Sequence, residues 1–162
     1  MRFHWASVLG ITATAWLALA AAPQGWFLAG SKPANYDTGV DPSSPYLGRG
    51  SSFLKAKADQ DGFGTDQDGF GTLMQSFSAK NYAGKRLRLS GYVKSDSVTR
   101  WAGVWMRVDG PSSGGTPEIL AFDNMQNRPI KGSTDWQNYQ VVLDVPNLAA
   151  GISFGILLDG PG

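Results

Sequence analysis

The segment Arg86-Leu87-Arg88-Leu89-Ser90-Gly91-Tyr92-Val93-Lys94 alternates apolar and polar side chains along its length. Its two leucines and Val93 fall on one side, and its two arginines, Tyr92 and Lys94 fall on the other. Successive side chains of a strand point to opposite faces of a sheet. The segment therefore predicts a β-strand with one face turned to a core and the other to solvent.

Short segments elsewhere share this strand pattern and are separated by Gly, Pro, Asn, Asp and Ser. They are residues 26–28, 52–57, 72–78, 103–109, 118–123, 139–145 and 152–158. No stretch carries a sustained apolar stripe with the helical period. About eight short strands with frequent turn signals predict an all-β fold, an antiparallel two-sheet sandwich.

The composition limits the chemistry available to the chain. Its 162 residues suit one domain, and an aromatic content of 12% with six Trp is not that of a disordered chain. The absence of Cys excludes disulfides, thiolate nucleophiles and cysteine metal sites. The single His is His4, at the start of the chain.

Residues 1–22 are typical of a secretory signal peptide. Arg2 precedes an apolar run from Ala6 to Ala20, and Ala20-Ala21-Ala22 gives a small-residue cleavage pattern before Pro23. The run is shorter than the roughly 20 residues of a membrane span, although a retained anchor stays an alternative. We expect a secreted or periplasmic protein in which residues 23–162 form the domain.

Cleavage of this leader would leave 13 basic and 13 acidic residues and no imidazole. Serine–histidine catalysis and histidine metal sites are then excluded. A balanced charge also argues against nucleic acid as a partner, because nucleic acid needs a concentrated basic surface. We expect no membrane contact apart from export.

Residues 59–72 contain a perfect tandem repeat, in which Asp59–Thr65 and Asp66–Thr72 both read DQDGFGT. An insertion of seven residues would invert the faces of a strand, so we expect the extra copy in a loop. The acidic spacing lacks the third carboxylate and the distal Glu of a calcium loop. We therefore expect no cofactor, with structural calcium as the less favoured alternative.

Five motifs occur in an order that resembles a known family. They are Gly25-Trp26-Phe27, Tyr46–Ser52, Leu73–Phe77, Tyr82–Lys94 and Thr134–Tyr139. The set resembles the jelly-roll carbohydrate-binding modules of the family 4/9/22 type, within the galactose-binding-like superfamily. The resemblance implies a jelly roll that binds a glycan or another polar ligand without catalysis.

Two departures from the family stand out. Residues 101–135 resemble an uncharacterised bacterial subgroup, some of whose relatives carry regulator labels, although no helix-turn-helix pattern occurs here. The "Trp-x-Asp-Asp-Val" strand that closes such modules is also missing, because the chain stops at Leu158–Gly162. The prediction is a sandwich that lacks its final strand, or a fragment.

Sugar recognition requires an aromatic ring and planar polar groups. Trp105, Arg107 and Asp109 fall on one side of the strand 103–109. By the resemblance, Arg86 and Arg88 lie on a neighbouring strand and Gln75 on the next. The predicted ligand-binding residues of this concave face are Trp105, Arg107, Asp109, Arg86, Arg88, Gln75, Asp123, Asn124 and Arg128.

A purely structural role is the alternative for each of these residues, and also has to be weighed for the other tryptophans. Trp105 packed under a loop, with Arg107 and Asp109 as a structural ion pair, fits the same pattern. Trp136 is expected in the core, because it starts a strand with a buried apolar face. For Trp101 an exposed loop position and a packed position stay equally open.

The function predicted from these features is a non-catalytic extracytoplasmic binding module. The alternative is a structural or sensing domain that contacts another protein through the same face. An enzyme is disfavoured: Glu118 lies in a turn, and nothing supplies Asp109 or Asp123 with the raised pKa that a general acid needs. We therefore expect no catalytic and no metal-binding residues.

Overall fold

The computed structural model describes residues 22–57 and 69–162. The predicted leader, except Ala22, and residues 59–68 of the tandem repeat lie outside the described residues. Eight strands occur within them: β1 (Phe27–Gly30), β2 (Tyr36–Tyr46), β3 (Arg49–Ala56), β4 (Phe70–Ser78), β5 (Arg86–Ser113), β6 (Thr116–Asp123), β7 (Ile130–Asp144) and β8 (Gly151–Asp159). No helix in the described part of the chain is long and apolar enough to cross a membrane.

The strands are antiparallel, and the all-β sandwich is confirmed. Five of them form a main sheet in the order β1-β4-β8-β5-β6. The first half of β5 pairs with β7, and we call this pair the second layer. Strands β2 and β3 pair in a separate hairpin sheet. Apolar side chains of the two layers meet in one core, in which Val104, Val108, Val141 and Ile152 are buried.

Strand β5 passes from one layer to the other. Residues 86–98 pair with β7, whereas residues 101–109 pair with β8. The ladder to β7 is irregular from Val93 to Ala102, and Ser97 has a φ of 55°. Bulges bend a strand and let it change sheets at a corner of a sandwich. The two strands predicted at 86–94 and 103–109 are thus two halves of one strand.

Tyr36 fixes the hairpin sheet against the main sheet. It is 1% exposed, and its hydroxyl lies 3.2 Å from the Gly69 carbonyl oxygen and 3.3 Å from that of Gly160. The same hydroxyl accepts the Gly160 N–H at 3.2 Å. A Cβ at Gly71 would lie 2.5 Å from the Tyr36 ring, so glycine is needed there. Strand β2 was not predicted from the sequence.

Candidate functional site

Trp105 lies on the outer face of the main sheet, opposite the core. Its indole N–H donates to the Thr72 hydroxyl at 2.7 Å, and that hydroxyl donates to the Ile156 carbonyl oxygen at 2.8 Å. Because Trp105 is directly opposite Gly155 on β8, the indole crosses that strand to reach β4. The residue is only 6% exposed. The prediction of an exposed aromatic platform at position 105 is therefore wrong.

Arg107 and Asp109 lie beside Trp105 and form an ion pair. The Arg107 Nη2 atom donates to Asp109 Oδ2 at 3.1 Å, and Nε lies 2.8 Å from Oδ1. The Nε contact is too bent for a hydrogen bond, so charge attraction holds that half of the pair. This is the ion pair between Arg107 and Asp109 that the sequence analysis gave as an alternative to ligand binding. Both side chains share the outer face with Trp105, as alternation predicts.

Three other predicted residues are not on this face. Arg86 and Arg88 lie on the first half of β5, in the second layer, because β5 changes sheets before Trp105. Gln75 is paired with Phe154 and points inward like Leu73, two positions away. The expected neighbourhood of Arg86, Arg88 and Gln75 with Trp105 is therefore wrong.

The remaining predicted residues, Asp123, Asn124 and Arg128, come together in a depression after β6. Its volume is about 420 Å³. Its lining residues are Phe122, Asp123, Asn124, Gln126, Asn127, Arg128 and Leu143. We call this feature the loop depression. Phe122 is 50% exposed and contacts Trp105 edge to face, with ring centroids 6.4 Å apart.

An ion pair organises the loop depression. Arg128 donates to Asp123 through Nη2 at 2.6 Å and through Nη1 at 3.1 Å. Asp123 Oδ1 also accepts the Met125 N–H at 2.8 Å. These bonds favour the charged carboxylate, and the Arg128 guanidinium above all holds the pKa of Asp123 below its ordinary value. A general acid needs the opposite shift.

Met125 anchors the loop from below. It is 2% exposed and belongs to the core, although its φ of 62° is in the left-handed region. Gly103 leaves room for this loop, since a Cβ there would lie 2.7 Å from the Asn124 carbonyl oxygen. The burial of Met125 and the close approach to Gly103 therefore define the backbone position of the loop that carries these polar side chains.

A second cavity, of about 320 Å³, opens between the two layers. Trp26, Leu73, Leu89 and Phe154 are among its mostly apolar lining residues. It offers too few polar groups to hold a sugar. Within the residues that the structure describes, no group of three side chains suits a metal ion.

An aromatic cluster on the second layer was missed by sequence reasoning. Tyr46 stacks on Tyr92, with ring centroids 4.3 Å apart, and lies 5.3 Å from Trp136. Trp136 was expected in the core, but it is half-buried on the outer face of β7. The sequence could have indicated only Tyr92, which the alternation of its strand places on the outer face. Tyr46 lies on β2, a strand that was not predicted.

Comparison with solved structures identifies the fold. The family 22 carbohydrate-binding module of Clostridium thermocellum Xyn10B matches 86% of this chain and 80% of its own, with a TM-score of 0.52 and 11% identity. The CBM22-1 xylan-binding domain of Paenibacillus barcinonensis Xyn10C gives 0.50, with 17% identity over 88% of this chain and 86% of its own. This chain has the jelly-roll fold of a carbohydrate-binding module.

The jelly roll is not restricted to such modules. The enzymatically active domain of tailspike protein 4 from bacteriophage CBA120 matches 85% of this chain and 17% of its own, with a TM-score of 0.59 and 13% identity. At these identities the likeness concerns the fold alone.

A curated protein that is similar in sequence to this chain is described as a regulator and not as a carbohydrate-binding module. An uncharacterized HTH-type transcriptional regulator of Bacillus subtilis (strain 168), YbfP, is 46% identical over 139 residues. The match covers 86% of this chain, and this chain spans 44% of the relative's length. No family model matches the chain.

Proposed function

We propose that this jelly roll is a non-catalytic binding module that holds a neutral sugar, or a ligand of similar polarity, in the loop depression. The observation that carries the proposal is the position of an exposed ring beside a fixed polar loop. Phe122 offers an apolar face, and Asp123, Asn124 and Arg128 offer donors and acceptors in the same depression.

The chemistry of this site suits a polyhydroxylated ligand. A sugar ring stacks its apolar face on an aromatic side chain, and its hydroxyls bond to planar amide, carboxylate and guanidinium groups. The Asp123–Arg128 pair is bidentate, so its charges largely cancel. A neutral ligand is favoured over a strongly charged one for this reason.

The arrangement of carboxylates supports the absence of catalysis. Asp109 and Asp123 are each engaged by an arginine, and Glu118 is exposed on β6. A pair of carboxyl groups that hydrolyses a glycoside needs one member with a raised pKa. The leader-like residues 1–22 support a location outside the cytoplasm.

The test compares two exposed apolar residues of the same strand. Phe122→Ala removes the ring beside the depression, and Ile119→Ala removes a side chain that is 57% exposed outside it. In affinity electrophoresis with neutral xylan and β-glucan, we expect Phe122→Ala to weaken retention about tenfold, as stacking energies suggest. Ile119→Ala should stay within about twofold. Equal retention of both variants would exclude the loop depression as the site.

The second candidate function is a sensing domain, and the 46% identical regulator favours it. This chain corresponds to less than half of that relative, which leaves room for a DNA-binding part elsewhere in it. A regulator acts on DNA inside the cell, whereas an exported module does not. Fractionation of cells that express residues 1–162 therefore separates the two functions.

A further inference from the structure

The outer face of the second layer carries a row of aromatic and basic side chains. Arg88, Tyr92 and Lys94 lie at alternate positions of β5, so they point to the same side. Tyr46 and Trp136 join the row through the ring contacts described above. We call these five residues the aromatic–cationic strip. It lies on the layer opposite Trp105.

The two cations of the strip form no ion pair with another residue that the structure describes. Nearby Arg86 binds Asp144 through Nε at 2.6 Å and Nη2 at 2.8 Å, so its charge has a partner. Among residues 22–57 and 69–162, Arg88 and Lys94 have no ion pair and no side-chain hydrogen bond. Both side chains are exposed. From the strand rise, their Cα atoms lie about 20 Å apart, with Tyr92 between them.

The strip also presents rings and amides to a ligand. Tyr92 is 49% exposed, and Asn138 lies directly opposite it on β7, followed by Gln140 opposite Ser90. Rings accept the apolar faces of sugars, and amides bond to sugar hydroxyls. Two separated cations are complementary to carboxylates that recur along a polysaccharide chain. A neutral glycan has no such carboxylates.

We propose that the aromatic–cationic strip binds an acidic polysaccharide, one that carries carboxylates on its sugar rings. Single-stranded nucleic acid also stacks on aromatic side chains. It draws its affinity from a concentrated basic surface, however. This strip has only two cations, Arg88 and Lys94, in a chain of nearly balanced charge. The proposal does not depend on the function proposed for the loop depression.

The test uses polygalacturonate as the acidic probe and neutral xylan as the reference. Arg88→Gln combined with Lys94→Gln removes the two cations and keeps polar side chains of similar length. At about 50 mM NaCl we expect retention by polygalacturonate to fall about tenfold, because weakly screened charges dominate there. Retention by xylan should not change. Wild-type retention by polygalacturonate should also fall steeply when NaCl is raised to about 500 mM.

Matched controls separate the strip from general charge and from misfolding. Lys80→Gln removes one exposed lysine elsewhere and should stay within about twofold, whereas Lys94→Gln alone should weaken retention severalfold. Tyr92→Ala should weaken retention about fivefold while the circular dichroism spectrum is unchanged.

Three results would overturn the proposal. One is equal weakening by Lys80→Gln and Lys94→Gln, and another is no retention of the wild type by polygalacturonate. The third is displacement of polygalacturonate by oligothymidylate at lower concentration than by free oligogalacturonate. Because xylan and polygalacturonate report on different surfaces, failure here is distinguishable from failure of the loop depression.

Discussion

The loop depression and the aromatic–cationic strip use the same kinds of side chain but differ in how their charges are paired. Arg128 is held by Asp123 at 2.6 Å in the depression, whereas Arg88 and Lys94 have no ion-pair partner among the described residues. Each region presents an exposed ring, since Phe122 in the depression is 50% exposed and Tyr92 in the strip is 49% exposed. If both proposals hold, the number of arginines on a face does not decide its ligand. The deciding property would be whether a carboxylate already pairs with the cation.

The largest expected effect separates a structural aromatic residue from an accessible one. Trp105→Ala removes a buried indole that packs on the main sheet and bonds to Thr72, so we expect the free energy of unfolding to fall by about 3–5 kcal/mol. Tyr92→Ala removes a half-exposed ring from the strip and should cost about 1 kcal/mol. Urea unfolding followed by circular dichroism measures both.

Trp105→Phe refines this comparison. It keeps a ring in the site but removes the N–H that Thr72 accepts, and we expect a loss of about 1–2 kcal/mol relative to wild type. If Tyr92→Ala instead destabilises the protein as much as Trp105→Ala, the strip is a structural support for the β2–β3 hairpin and not a free surface.

The sequence predicted the strands and their inward faces well, because period-two alternation is a local property. Leu87, Leu89 and Val93 do pack on the core, and so do Val104 and Val108. It did not predict which layer each half of β5 joins. That choice depends on the irregular pairing between Val93 and Ala102, which no alternation pattern encodes. Arg86 and Arg88 were consequently placed on a different layer from Trp105, Arg107 and Asp109.

The sequence predicted which residues line the loop depression but not how they are arranged around Trp105. The loop after β6 was recognised by its amides and charges, and Asp123, Asn124 and Arg128 do line one depression. The burial of Trp105 depends on Thr72 and Phe122, which are distant in sequence from it and from each other. Contacts of that kind follow from the register of four strands, β4, β8, β5 and β6, so the alternation within β5 could not reveal them.

A charge exchange in the loop depression tests whether pairing decides the ligand. Asp123→Asn keeps an oxygen that can accept the Met125 N–H but leaves Arg128 without its carboxylate. We expect retention by neutral xylan to fall about threefold and retention by polygalacturonate to rise about threefold, with strong salt dependence. Affinity electrophoresis at two salt concentrations measures both changes.

The control for this exchange is Asp37→Asn. Asp37 is exposed and lies 3.7 Å from Lys57, in a looser pair away from the depression. It removes the same charge from the protein, so it should change neither retention by more than about 1.5-fold. An equal rise for Asp37→Asn would mean that net charge, rather than the pairing of Arg128, controls the affinity for the acidic probe.

The reciprocal exchange introduces a carboxylate into the strip. Asn138→Asp places a negative charge directly opposite Tyr92, between Arg88 and Lys94. We expect retention by polygalacturonate to fall about threefold, since like charges repel and the new carboxylate competes for Arg88 and Lys94. Retention by xylan should not change. A variant that retains polygalacturonate as strongly as wild type would contradict the placement of the strip.

The smallest expected effect concerns the pH dependence of the loop depression. Arg128 lowers the pKa of Asp123 below the ordinary value of about 3.9, so the carboxylate stays charged throughout the physiological range. A group with a lowered pKa stabilises the folded loop above its ordinary pKa, and this contribution is lost as the pH falls through the lowered value. Retention by xylan should therefore be flat from about pH 8 to 5 and should decline only below about pH 4. Asp123→Asn should abolish that decline, whereas a change between pH 5 and 8 would mean that a group other than Asp123 controls binding in the depression.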